Sequence, residues 1–140
     1  MKDQGAGMPD GGLFTPDQFI RGEDAIKPGE LAGPSRGVVE CKPPAANVLK
    51  VKDTKQVSDY WDRYNQVLMT NYREFLLIGR DDYGVPVKHE YYLLAATEEG
   101  FWQMCANPAT AVAEHADRLI DFLRRCLRRP APLTRITGDT

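Results

Sequence analysis

Glu40-Cys41-Lys42 closes the run Gly37-Val38-Val39-Glu40-Cys41-Lys42 and sets a carboxylate and an ammonium two residues apart on a short strand. Side chains alternate along a strand, so Glu40 and Lys42 point one way and Val39 and Cys41 the other. Charged groups beside valines are rarely buried unpaired, because their desolvation is costly. Either this strand end is wet, or the pair serves a bound metal and a phosphate. Asp10, in Met8-Pro9-Asp10, supplies a second carboxylate upstream. Carboxylates and a backbone carbonyl, here that of Cys41, are the oxygen donors a hard divalent cation prefers. Such a cation stabilises charge developing on a phosphate and makes water more nucleophilic. A neighbouring lysine orients that water and offsets negative charge. Asp10, Glu40, the Cys41 carbonyl and Lys42 therefore make the skeleton of a Mg²⁺-dependent phosphodiester-cleaving site, with Mn²⁺ as a possible substitute.

The elements that must position these groups are legible from periodicity and turn chemistry. Residues 1–36 are rich in Gly, Pro and Asp. Gly5, Gly7, Gly11 and Gly12 flank Pro9-Asp10, which puts Asp10 in a bend or a short extended piece. Residues 21–36 read as a surface loop. Gly37–Lys42 reads as a buried strand ended by Pro43-Pro44, since proline cannot donate to a ladder. Asp53 and Gln56 form a capping pattern, and Val57, Tyr60, Trp61 and Tyr64 follow at helical spacing, so a helix is expected over about 54–64. Gln66–Thr70 and Glu74–Gly79 read as strands joined by Asn71-Tyr72-Arg73, the second apolar enough to be covered on both faces. Asp81–Gly84 is a turn and Val87–Leu94 a returning strand, forming a hairpin with 74–79. A short helix over Glu98–Cys105 carries Phe101 and Trp102. A longer one starts at Asn107-Pro108, with an expected apolar stripe of Val112, Ala116, Leu119, Ile120, Leu123 and Leu127. Arg124, Arg125, Arg128 and Arg129 crowd its last turns, where the helix dipole favours cations. The expected fold class is α/β, with a mixed central sheet of about four or five strands flanked by helices.

Bulk properties narrow the field. A chain of 140 residues fits one domain with a real core. Its apolar fraction of 42% and two tryptophans argue against general disorder. The net charge of −2 does not advertise a nucleic-acid partner, although a local basic patch matters more than the total. The three cysteines, Cys41, Cys105 and Cys126, have neither C-x-x-C spacing nor a histidine partner, which excludes a zinc ribbon and a disulfide scaffold. No run is apolar enough to span a bilayer and no signal peptide is present, so a cytoplasmic setting and no membrane partner are expected.

Pro9-Asp10 followed by Glu40-Cys41-Lys42 resembles the PD-(D/E)xK nuclease superfamily. The stretch Gly37–Pro44, the helix bearing Lys55-Gln56-Val57 and Tyr60, and Val67-Leu68-Met69-Thr70-Asn71-Tyr72-Arg73-Glu74-Phe75 narrow the likeness. Together they look like the amino-terminal nuclease region of single-chain restriction-modification enzymes, type IIG or type I-like. In those enzymes an adenine-specific DNA methyltransferase and a target-recognition region follow. The similarity covers about residues 5–129, with 130–140 as a tail or truncated linker. It implies a restriction-endonuclease-like core and Mg²⁺-dependent cleavage of double-stranded DNA by in-line attack of water on phosphorus. On it, Asp10 and Glu40 match metal-binding carboxylates, Lys42 the catalytic lysine, and Gln56 a polar helix residue beside the site. The departures are a long stretch between Asp10 and Glu40, the lack of the family's opening helix, and the lack of any methyltransferase motif. The chain thus reads as one part of a larger machine, or as a non-catalytic DNA-binding or scaffold fragment associated with a methyltransferase.

Plainer readings stand beside each assignment. Asp10 could cap a turn, and Asp17 in Thr15-Pro16-Asp17 is a rival carboxylate, although it reads as a helix start. Glu40 and Lys42 could be an exposed ion pair, worth roughly 0–1 kcal/mol. Gln56 could be a helix cap, and Tyr60, Trp61 and Tyr64 are core aromatics first. Arg73 and Glu74 could be a surface pair, a structural corner or a DNA contact. His89 and His115 suit surface roles. The arginines after 123 suit a solvated helix end or an interdomain contact. Cys41 is expected to be a packed thiol.

Overall fold

Helices cover both faces of a five-stranded mixed sheet whose spatial order follows the chain, β1-β2-β3-β4-β5. The computed structural model describes residues 9–16, 34–51 and 55–129, without the side chains of 51, 55 and 56. The strands are β1 (Gly11–Leu13), β2 (Gly37–Cys41), β3 (Val67–Thr70), β4 (Glu74–Arg80) and β5 (Pro86–Leu93). The helices are α1 (Val48–Val51), α2 (Lys55–Tyr64), α3 (Glu98–Ala106) and α4 (Pro108–Arg128). The parallel pair is β2 with β3, and the remaining neighbours run antiparallel. A parallel pair needs a crossover, and α1 and α2 supply it.

Strand alternation sorts the core into two layers. Val38, Val67, Met69, Leu76 and Ile78 meet Val57, Tyr60 and Trp61 of α2 on one face. Leu13, Leu68 and Leu77 meet Phe122 and Cys126 of α4 on the other. The helix expected over 54–64, the strands over 66–70 and 74–79 and the hairpin return over 87–94 are each found within a residue or two of the expected bounds. The turn over Asp81–Gly84 is also present: the Asp81 carboxylate accepts the amides of Tyr83 and Val85 at 2.8 and 2.9 Å. The expected loop over 21–36 falls largely outside the described residues, as do Asp17, the Asp53 cap and the tail 130–140.

The buried face of α4 differs from the expected stripe. Val112, Ile120 and Leu127 are exposed, while Phe122 and Cys126 are fully buried and Leu119 and Leu123 pack beside them. The cause is the rotation of the helix about its axis. A large aromatic and a small thiol fit against Leu68, Leu77 and Phe75, with the Phe75 and Phe122 rings 6.2 Å apart. Burial pushes the Cys126 thiol up to about 12. A thiolate-directed reagent is therefore expected to label exposed Cys105 in the native protein, and Cys126 only after denaturation. Native labelling of Cys126, read by peptide mass spectrometry, would mean that α4 leaves the sheet readily.

The histidines are not surface groups. His115 is half-buried and its Nδ1 lies 2.7 Å from the Tyr92 hydroxyl. His89 is half-buried over Gly79, where a β-carbon would come within 2.3 Å of the imidazole. Among the described residues no helix is long and apolar enough to cross a membrane.

Candidate functional site

The sheet register brings the distant carboxylates together. Gly11 pairs with Val39, so one step further along the same antiparallel register Asp10 stands opposite Glu40. Residues directly opposite each other in such a pair share a face. Asp10 occupies the bend just before β1, where the β1 ladder has ended and the Cys41 amide lacks a strand partner on that side. The Asp10 Oδ2 atom accepts that amide at 2.7 Å. This hydrogen bond pins the carboxylate to the end of β2. The amides of Val38 and Lys42 turn the other way, onto the carbonyls of Gln66 and Thr70. Within one strand residue the N–H and C=O point to the same side, so the Cys41 carbonyl faces the Asp10 side too.

Glu40 is buried, at 4% exposure, on the face it shares with Val38. Its Oε2 atom receives the Lys42 ammonium at 2.9 Å. Its Oε1 atom is buried and has no hydrogen-bond partner among the described residues. Burial pushes the Glu40 carboxyl above its ordinary range, Lys42 pulls it back, and the neighbouring Asp10 carboxylate pushes it up again. Lys42 keeps 27% of its side chain exposed, so the ammonium can reach a solvent-side ligand without leaving Glu40. The arrangement thus has more carboxylate than cation, with one carboxylate oxygen left over. The exposed ion pair considered from the sequence does not describe it, because Glu40 is not exposed.

The turn from Thr70 to Glu74 braces the segment that follows Lys42. Asn71 is fully buried; its carboxamide oxygen accepts the amides of Arg73 and Glu74, and its nitrogen donates to the Ala46 carbonyl at 2.7 Å. Thr70 Oγ1 accepts the Tyr72 amide at 2.8 Å. Arg73, 8% exposed, sends its guanidinium to the carbonyls of Pro44 at 2.6 Å, Ala96 at 3.1 Å, Ala95 at 3.3 Å and Ala46 at 3.4 Å. Arg73 is therefore the buried structural corner among the alternatives; it does pair with Glu74 at 3.8 Å, but neither side chain lies at the surface. A planar fork with donors on several edges can tie the two loops together in a way a single ammonium cannot.

Other expected participants lie elsewhere. Gln56 belongs to the first turn of α2, which the crossover starts from the Glu40 end of the sheet, but its side chain lies outside the described residues. The arginines of the α4 terminus sit at the opposite end of the sheet. The Arg128 and Arg129 carbonyls accept Arg36 at 2.9 Å and Gln66 at 3.1 Å, beside the starts of β2 and β3. Arg125 pairs with Glu90 at 3.1 Å. They do not converge with Lys42. Cys41 is a free thiol that is only partly buried, not a packed one.

Asn71, Tyr72 and Arg73 are the residues whose part in the site exceeds what their sequence signal suggested. Their one signal was a polar, aromatic and charged triplet set between two apolar strands, in a place where a hairpin ordinarily carries Gly or Asn. Among the described residues no group of three or more His, Cys, Asp or Glu side chains is placed to hold a metal, so any cation here would rest on the Asp10 and Glu40 carboxylates with backbone or solvent oxygens. No family model, curated protein or solved structure matches this chain.

Proposed function

We propose that this chain is a metal-dependent DNA endonuclease module with a restriction-endonuclease-like core, belonging to a restriction-modification system. The observation that carries the reading is the convergence of Asp10 and Glu40 with Lys42 at one strand end, with Glu40 Oε1 buried and unpartnered among the described residues. An orphaned buried carboxylate oxygen costs free energy unless a guest satisfies it. Hard oxygen donors at such a point fit Mg²⁺ or Mn²⁺, with Asp10, Glu40 and the Cys41 carbonyl as the holding groups. The bound cation would neutralise charge on the phosphate and favour deprotonation of water.

The chain's own groups do the rest. Glu40 divides its carboxylate, with Oε2 fixing Lys42 and Oε1 left for the guest. Asp10 is directed to the strand end by the Cys41 amide, which donates to it at 2.7 Å. Lys42 places a proton donor and a positive charge where an attacking water and a phosphate oxygen meet. Water would give up a proton to bulk solvent as its oxygen adds to phosphorus, one ester P–O bond would break, and the departing alkoxide would take up a proton. Double-stranded DNA is the proposed substrate. Sequence choice would lie in a target-recognition region and protection of the host in a methyltransferase, both beyond these residues.

The direct test is incubation of the purified chain with supercoiled plasmid and Mg²⁺. Nicking or linearisation by wild type and not by Glu40→Ala supports the reading. A folded wild-type chain that leaves plasmid intact over a range of Mg²⁺ and Mn²⁺ concentrations would favour a non-catalytic scaffold, for which Glu40 and Lys42 are an internal ion pair.

Glu40→Gln isolates the metal site. Glutamine keeps the shape and removes the charge that burial and Asp10 oppose. The wild-type melting temperature should rise on adding Mg²⁺, since a ligand of the native state stabilises by mass action. The variant should melt at or above the metal-free wild type and gain little from Mg²⁺. An equal gain in both proteins would move the cation away from Glu40.

A further inference from the structure

The geometry points to Tyr72 as the residue that seats nucleic acid beside Asp10 and Lys42, through an exposed aromatic wall that contributes to substrate binding and not to the chemical step. The inference rests on the nuclease reading above.

Tyr72 holds a left-handed backbone, with φ of 72°. Glycine takes that conformation freely, whereas a bulky aromatic is strained in it by roughly 1 kcal/mol or more. The surrounding turn forces it. Thr70 Oγ1 takes the Tyr72 amide, Asn71 takes the two amides that follow, and Arg73 is locked between two loops. Such a turn would be served better by glycine if folding alone were at stake.

The ring gains little in return from packing. Tyr72 is 47% exposed and belongs to neither core cluster. Thr70, two residues before it, pairs with Cys41, and the Thr70 carbonyl accepts the Lys42 amide at 2.8 Å. The phenol therefore projects from the turn at the strand end that carries the site, nearly half exposed. A half-exposed aromatic carried on a turn whose backbone is already fixed adds little ordering cost when a nucleotide sugar or base packs on it. Contacts of this kind are sequence-tolerant, because every base has a π-face. They also add affinity without positive charge, which suits a chain of net charge −2 whose α4 arginines lie at the other end of the sheet.

The test compares full-length wild type, Tyr72→Gly, Tyr72→Phe and Lys42→Ala in three readouts. These are thermal melting, anisotropy of a labelled duplex, and steady-state cleavage. Tyr72→Gly should melt at or above wild type, raise KM about tenfold and leave kcat within about twofold. Tyr72→Phe, which keeps the ring, should stay near wild type in KM. Lys42→Ala should show the converse, a lost kcat with duplex binding kept. Wild-type KM in Tyr72→Gly would overturn the role of Tyr72 while leaving the nuclease intact. A lowered melting temperature accompanied by equal losses in kcat and KM would make Tyr72 structural and also overturn it. Absence of both duplex binding and cleavage in wild type would remove the nuclease reading itself, and this inference with it.

Discussion

Lys42→Ala is expected to lower plasmid cleavage by roughly 10²–10³-fold while leaving the fold and duplex affinity close to wild type. The ammonium pairs with Glu40 at 2.9 Å, and it retains access to solvent. Its removal deletes a proton donor at the point where charge would develop, which affects the transition state more than the ground state. The fold should tolerate the change, because Lys42 lies past the end of β2 and its backbone amide still donates to Thr70. Glu40 then loses the group that pulls its carboxyl down, and burial and Asp10 both favour its protonated form. The cleavage optimum of any residual activity should accordingly shift to higher pH, where Glu40 is ionised. Lys42→Arg separates charge from shape: it restores a cation but not a compact ammonium, and partial recovery is expected. A melt showing that Lys42→Ala loses structure in step with activity would reassign Lys42 to the scaffold.

Arg73→Ala should carry the largest loss of stability, roughly 3 kcal/mol, read as a fall of about 10 °C in melting temperature. The guanidinium is 8% exposed and satisfies carbonyls of Pro44, Ala46, Ala95 and Ala96. Truncation strands these acceptors in a place water enters poorly. It also removes the tie between the loop after β2 and the loop after β5, where the Leu94 amide already donates to the Arg73 carbonyl at 2.7 Å. Lysine at this position supplies a charge without the fork and should recover less than half the loss. Cleavage should fall as well, because Pro44 and Ala46 belong to the chain that leaves Lys42. A melting temperature within 2–3 °C of wild type would mean that the loops hold themselves and Arg73 is dispensable.

Much of the architecture is written locally. Val38, Val39 and Glu40 alternate in burial because a strand has period two, and this alone sets Glu40 and Lys42 on one side. Val57, Tyr60 and Trp61 bury together because helical spacing aligns them. Pro108 starts α4 because its missing amide is no loss there.

The neighbours of each element were not legible in the same way. The α4 pattern offers several apolar positions around the helix, and local periodicity does not choose among them. Contact with Leu68, Leu77 and Phe75 selected Phe122 and Cys126 and left Val112 and Ile120 in solvent. Arg73 looked like a surface cation because its acceptors are backbone carbonyls, which no side-chain pattern records.

The candidate site divides along the same line. By itself, the sequence determined the donor types, the pairing of Glu40 with Lys42 and the strand that carries them, since these follow from covalent spacing. Only the tertiary structure decided that Asp10, 31 positions before Cys41, closes the ladder at its amide and meets Glu40. It also decided that Glu40 Oε1 is buried without a partner among the described residues and that Tyr72 holds a strained turn at the same end of the sheet. Register between strands distant in the chain is set by the packing of both sheet faces at once, and that collective choice has no local signature.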